Sequence, residues 1–404
     1  MNGTCGRVLP RVVLLALSCL AGSCAPTAEK PMIDALLADA KKQLAPDTRT
    51  AVFDVSGTLV GTTLTLRGEI QSGAMKADLY AFITRREHFT IVDSLVVLPA
   101  ADVADRPDGV VSLSVANIRK KPSHTAEMTT QAILGTPVSV LKREGEWLLV
   151  QTPDRYVGWT DDAITRYSAG ELSAWLDRPK VIVVSPYAWV RASGAKGAAP
   201  VGDVVAGSLL AVTGEERDTY AVSYPDGRTG VLAKADARPY DRWLQSIRYS
   251  TDDVLATAQS LLGVPYLWGG TSTKGMDCSG FTKTVYFLNG ILLPRDAGQQ
   301  ARVGTPIATT AEMTEVHPGD LLFFGTHASA EKPERVTHVA ISLGGKRFIH
   351  CSGYVRVNSL SPADSDFSDF RLTGFLGATR VIDAEHATGV YRLSTLPAYA
   401  THEP

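Results

Sequence analysis

Beyond residue 24 the chain has only two cysteines, Cys278 and Cys351. A framework of structural disulfides is thereby excluded, and the fold must rest on packed cores. Nor is there a surplus of either charge. Forty Lys and Arg stand against 42 Asp and Glu, a formal charge of -2, which leaves no electrostatic footprint for a nucleic acid. Past residue 21 no apolar run is long enough to span a bilayer. What is present is the composition of a folded globular protein: 404 residues, 45% apolar and 20% charged, enough for two to four domains. Its 35 glycines and 22 prolines, set among short alternating Val/Thr/Ile runs, tilt the class toward turn-rich β modules.

The amino terminus reads as an export signal. Arg7 and Arg11 precede an apolar run from Val12 to Ala21, of signal-peptide length and too short to cross a membrane. The run closes on Ala21-Gly22-Ser23-Cys24, which resembles a bacterial lipobox. That implies Cys24 as the lipidated first residue of the mature protein, in a bacterial envelope and tethered to a membrane through the lipid, with residues 1–24 as the signal peptide. Cleavage near Ala25, giving a soluble periplasmic protein, is the alternative.

Further along, residues 31–108 show a helical pattern over 31–48, a hairpin-like alternation from Thr58 to Gly68, a second helix and a strand from Val92 to Leu98. This predicts a small α+β domain, whose order resembles BON-like modules and which offers no catalytic residue. Two segments then echo one another, 109–168 and 180–240. The first runs through Ser114 to Arg119, Gly135 to Val140, Trp147 to Gln151 and Tyr156-Val-Gly-Trp159; the second through Ala188 to Arg191, Gly207 to Val212, Tyr220 to Tyr224 and Gly230 to Leu232. Each reads as a small barrel resembling bacterial SH3 domains, the second lacking the terminal tryptophan. A linking helix is expected at Ala169–Leu176. From about residue 250 to 384 the texture changes to helix, turn and strand, with Asp252 or Asp253 as a helix cap. Residues 385–404 read as a polar tail.

The chemistry lies in this last region. Cys278 sits at the start of a helix opening Asp277-Cys-Ser-Gly280, where free backbone N–H groups and the positive dipole end favour a thiolate. Strand alternation puts His338 on one face with Val336 and Ala340, available as a base. A third polar group should orient that imidazole. His350 is the candidate, and a hairpin with an odd loop, such as the three residues Leu343 to Gly345, would set it directly across from His338. Taken singly, each residue has an ordinary reading: a buried structural thiol, hydrogen-bonded core histidines, and core aromatics at Tyr266 and Trp268. Alternation turns Cys351 away from His350, and it is expected to stay unbridged.

Six stretches occur together: Pro265-Tyr-Leu-Trp-Gly-Gly270, Asp277-Cys-Ser-Gly280, Leu293-Pro-Arg-Asp296, Pro318-Gly-Asp-Leu-Leu-Phe-Phe324, Thr337-His-Val-Ala-Ile341 and Phe348-Ile-His350. In kind and order they resemble the NlpC/P60 cysteine peptidases, most closely the γ-D-glutamyl-L-diamino acid endopeptidases that carry SH3 domains. The resemblance implies a papain-like catalytic domain, with Cys278 as nucleophile, His338 as base, His350 as the orienting member and Tyr266 at the oxyanion. It also implies a pocket for the free amino group of an N-terminal L-alanine, built from Asp296 with Glu127 and Tyr156 of the first SH3 domain. Asp277, Ser279 and Trp268 are expected to hold substrate, although Asp277 is equally suited to capping the helix. Ala297 departs from the family, where a hydroxyl residue is common.

The resulting expectation is a multidomain envelope peptidase acting on peptidoglycan-derived peptides in cell-wall peptide recycling, with no metal and no cofactor. Two rivals share these residues: a wall-binding adaptor with a dormant peptidase domain, and an amidase or acyltransferase on the same scaffold.

Overall fold

The computed structural model describes residues 29–382 and 389–400. The expected signal peptide and the lipidation site at Cys24 lie outside the described residues. Helix Glu29–Leu44 and helix Gly73–Thr84 cover one side of a three-stranded sheet. In it Phe53–Val60 and Thr63–Ile70 form a hairpin, while Thr90–Val97 returns parallel to the second strand. Ile33, Leu37, Leu64, Leu66, Leu79, Phe82 and Ile83 fill the space between the layers.

The echo in the sequence becomes a repeat in space. One seven-stranded sheet is ordered 164–167, 108–111, 137–144, 147–151, 157–160, 115–119, 128–133. The other is ordered 237–239, 180–183, 209–215, 219–223, 229–233, 187–191, 200–205. Position for position the two match. Equivalent arginines even make equivalent bonds, Arg119 Nη1 to Ala126 O at 2.8 Å and Arg191 Nη1 to Ala198 O at 2.9 Å. Arg119 pairs with Trp159, whereas Arg191 pairs with Val231. The tryptophan missing from the second copy serves a purpose in the first: it packs with Leu98, Leu141 and Leu149 and so helps seat the N-terminal layer on the barrel. The linking helix Ala169–Leu176 carries a capping box between Ser168 and Glu171.

The remaining region centres on a six-stranded antiparallel sheet, ordered 305–307, 375–380, 321–326, 335–344, 347–352, 354–359. Helix Cys278–Phe287 packs on one face, burying Phe281 and Val285 against Val339, Ile341 and Ile349. At about 1.5–3 kcal/mol for each such side chain removed from water, this is the contact that sets the helix on the sheet. The opposite face buries Phe324, Ala340, Phe348 and Leu360.

Three expectations are corrected. Helix Thr251–Ser260 is capped by Ser250, whose Oγ accepts from Asp253 N at 3.2 Å, so Asp252 and Asp253 lie in the first turn, where they favour the dipole instead. The histidine hairpin closes through Gly345 and Lys346, a two-residue loop with a bulge at Leu343, rather than an odd loop. And residues 389–400 are no free tail: Tyr391–Arg392 pairs with Ile291–Leu292, Leu393 and Tyr399 are buried, and Tyr399 meets Phe287 edge to face. The apolar residues among otherwise polar ones anchor this segment. Residues 385–388 and 401–404 lie outside the described residues.

Candidate active site

The helix of Cys278 starts where a single carboxylate joins three parts of the chain. Asp277 Oδ1 accepts from Gly280 N at 2.7 Å, capping the helix, while Oδ2 accepts from Gly269 N at 3.0 Å. Arg295, only 1% exposed, then grips both oxygens, Nη1 at 3.1 Å and Nη2 at 2.5 Å. The same guanidinium reaches Ser279 Oγ at 2.9 Å and, through Nε, Thr130 Oγ1 of the first barrel at 3.0 Å. Two glycines make the close approach feasible. A Cβ on Gly280 would lie 1.9 Å from Gly270 O, and one on Gly269, whose φ is +78°, would lie 2.4 Å from Met128 O. Asp277 and Ser279 are therefore both tied into this buried lattice, Asp277 in the capping role that was its alternative expectation.

Cys278 is buried, and backbone N–H groups of Val339 and Ser279 point to its sulfur. Nevertheless burial, reinforced by the Asp277 charge, pushes the thiol up to about 11. The helix start was expected to favour the thiolate, but desolvation wins here.

His338 and His350 are brought together. Extending the hairpin register sets His350 across from Ala340, two residues away from the expected position. Because the shift is an even two residues, the rings stay on one face and meet diagonally, His338 Nε2 to His350 Nδ1 at 2.7 Å. A bulge at Thr337 turns Val336 to the helix side, so it does not share the face of His338 as alternation had suggested; His338 packs on Phe324 instead. Further out, Asn358 Oδ1 lies 2.9 Å from His350 Nε2, and Asn358 Nδ2 donates to Asp366 O at 2.8 Å. This residue was missed by sequence reasoning, and it assigns the protons. An amide whose NH₂ is already spent presents an acceptor, so His350 carries its proton on Nε2. A neutral His350 then accepts at Nδ1, His338 donates from Nε2, and the lone pair of His338 is left on Nδ1, the nitrogen available to a thiol. No hydrogen bond joins Cys278 to either ring among the described residues.

Burial drives both imidazoles toward the neutral form, His338 well below its usual range with the Arg371 charge adding to the effect, and His350 to about 4. The resting pair near neutral pH is thus a thiol beside a neutral imidazole. Two results are expected. Inactivation by iodoacetamide, which needs thiolate, should be slow at pH 6 and climb toward pH 11. Hydrolysis should stay level from about pH 6.5 to 9 and fall in acid only once the imidazoles gain protons, at values below the ordinary histidine range. Rapid alkylation at pH 5–6 would mean instead that an ion pair is already formed.

Tyr266 is half-buried, and burial together with the nearby Cys278 and Asp277 holds its hydroxyl protonated; a protonated phenol can donate to an oxyanion. Trp268 is exposed and donates from Nε1 to Glu127 Oε1 at 3.1 Å, so it is not a core aromatic. Tyr156, from the first barrel, donates to Asp296 Oδ2 at 3.1 Å. The same oxygen accepts Arg49 Nη1 at 2.7 Å. Arg49 belongs to the N-terminal layer; its carbonyl is held by Val157 N at 2.7 Å, and its Nε and Nη2 grip Asp47 at 2.8 and 2.7 Å. Asp47 sits at about 2, because hydrogen bonds from Arg49 and Gln299 outweigh its burial. So Asp296 and Tyr156 meet, but the carboxylate already has a cation, Arg49, that no local pattern announces.

Fold and site define a multidomain protein in which SH3-like barrels abut a domain that carries a buried cysteine at a helix start and a buried pair of histidines on its sheet. Residues 263–375 match the NlpC/P60 family and residues 118–163 the bacterial dipeptidyl-peptidase SH3 domain. A gamma-D-glutamyl-L-lysine dipeptidyl-peptidase of Bacillus cereus is 32% identical over 232 residues, 55% of this chain and 67% of that protein. Dipeptidyl-peptidase 6 of Lysinibacillus sphaericus is 29% identical over 270 residues, 63% and 92% of the two chains. Among solved structures, an NlpC/P60 family protein from Bacillus cereus is similar with a TM-score of 0.57 at 27% identity, over 68% of this chain and 99% of that one. The chain belongs to the NlpC/P60 family.

Proposed function

We propose that the protein is a cysteine endopeptidase that hydrolyses the γ-D-glutamyl-L-diamino acid bond of peptidoglycan-derived peptides bearing a free N-terminal L-alanine, exported to the cell envelope and lipid-anchored through Cys24. The observation that carries it is the relay His338–His350–Asn358, which leaves a bare imidazole nitrogen beside the strand against which Cys278 lies. In the reaction His338 Nδ1 takes the thiol proton as Sγ adds to the carbonyl, and returns it to the departing amine. Water then attacks the thioester with the same base. Tyr266 and backbone N–H groups stabilise the oxyanion. The names of the relatives support the substrate class, and Tyr156 against Asp296 supports an amino-group pocket shared between barrel and catalytic domain.

Mass spectrometry of the protein incubated with L-Ala-γ-D-Glu-diaminopimelate, and with the same peptide acetylated on alanine, tests the reading. Cleavage of the free peptide alone is expected. Cleavage of both would discard the amino-group pocket, and cleavage of neither would discard the hydrolase. The pocket makes a further, signed prediction. Asp296→Asn should raise KM for the free peptide about tenfold or more with kcat little changed, since a charge-assisted bond is lost. Arg49→Ala should lower it, because a cation competing with the substrate ammonium is removed. Steady-state kinetics on the two variants would read both directions.

A further inference from the structure

The sheet face that carries His338 and His350 also holds two guanidinium groups with no part in the hydrolysis described above. Arg356 pairs with His350 on the neighbouring strand, and residues so paired project from one face. Its guanidinium lies 5.5 Å over the Tyr354 ring, and its Nε is buried with no hydrogen-bond partner. Arg371 comes from the short helix Asp369–Thr373. Its guanidinium is 5.7 Å from the centre of the Phe324 ring, which in turn packs 5.9 Å from that of His338. Nη2 makes a long bond of 3.4 Å to Ser352 Oγ, and Ser352, two residues beyond His350, shares its face.

Neither guanidinium forms an ion pair with a carboxylate among the described residues. In the adjoining loop Asp366 accepts Arg347 Nη2 at 2.8 Å on Oδ2 while its Oδ1 is buried without a hydrogen-bond partner, and Asp364 accepts Ser359 Oγ at 2.6 Å. Two half-buried cations near one another, with donors unspent, are a cost that a bound anion relieves. Their position indicates which anion. An imidazole that returns its proton to the departing amine stands on the leaving group's side of the scissile bond. Arg356 lies beside its partner ring and Arg371 beside the phenylalanine it packs on. The Asp296 pocket, by contrast, is built from the first barrel and the N-terminal layer.

We propose that Arg356 and Arg371 form a carboxylate subsite for the leaving diamino acid, so that the enzyme selects peptides whose diamino residue bears a free carboxylate. The inference rests on the hydrolase reading for its substrate, but its test does not depend on turnover. Binding of L-Ala-γ-D-Glu-L-lysine to Cys278→Ala protein is compared by calorimetry with binding of the C-terminal carboxamide, of the diaminopimelate peptide, and of the peptide with D-isoglutamine in place of D-glutamate. The free carboxylate is expected to bind about 10- to 100-fold more tightly than the carboxamide, the range for a hydrogen bond to a charged group. Arg371→Gln and Arg356→Gln, each added to Cys278→Ala, should shrink that ratio to about twofold and leave carboxamide binding unchanged, an effect a merely structural loss would not produce. If diaminopimelate binds more tightly than lysine and the arginine variants erase the difference, its second carboxylate is the group held. Equal binding of carboxylate and carboxamide overturns the proposal, as does no binding of either. Loss of discrimination only against the D-isoglutamine peptide overturns it as well, by moving the arginines to the acyl side. Discrimination in binding without cleavage by the wild-type protein would keep the subsite and reject the hydrolase.

Discussion

Replacing Cys278 by Ala should lower hydrolysis of the free peptide by about 10⁴-fold or more, and His338→Ala should do nearly the same. In the proposed mechanism the two act as one unit, with the thiol attacking only as its proton moves to the ring, so the double variant should be scarcely worse than either single one. Such non-additivity is itself the mark of a shared step. Single-turnover assays with product analysis would read the loss, and calorimetry on Cys278→Ala would show whether peptide still binds. Retained binding without turnover is the expected result. Turnover within tenfold of wild type would remove Cys278 from the role of nucleophile and point to another chemistry on the same scaffold.

The second large effect is on stability. Arg295→Met should destabilise the protein by about 3–5 kcal/mol, the cost of leaving a buried carboxylate without its partner. Asp277 would keep its bonds to Gly280 and Gly269, but its charge would face no cation in a site closed to water, and Thr130 of the first barrel would lose its donor. Urea unfolding followed by tryptophan fluorescence would measure the change. Adding Asp277→Asn should restore part of it, since asparagine still caps the helix and no ion is left unpaired. No recovery in the double variant would show that the arginine's packing, rather than its charge, matters.

The parts of this architecture that were legible in the sequence are those written in neighbouring residues. The start of the helix at Asp277-Cys-Ser-Gly280, the linking helix Ala169–Leu176 and the matched strand patterns of the two barrels all follow from local spacing. His350 could be placed on the face of His338 because parity survives a two-residue loop with one bulge, even though the loop itself was misjudged. Bulges at Thr337 and Leu343 were not legible, since β-branched and apolar residues there satisfy either alternation. Asn358 escaped because its meaning depends on a third strand folding back over His350. Arg49 lay furthest from reach: 247 residues separate it from Asp296, and the N-terminal layer is brought to the barrel by the packing of Trp159, Leu98 and their neighbours together with polar contacts such as Val157 N to Arg49 O and Lys142 to Glu69.

That contact bears on what could be transplanted from this protein. The thiol, the imidazoles and the asparagine all lie in one region and would travel together if that region were grafted onto another chain. The setting of Asp296 would not, for it is made by a tyrosine from one module and an arginine from another, the latter held by its own backbone to the former. If Asp296 holds the substrate's amino group as proposed, a graft would keep the bond-breaking groups while losing the means of choosing which peptide to break, and the smallest inheritable unit of that selectivity would be the set of three modules joined.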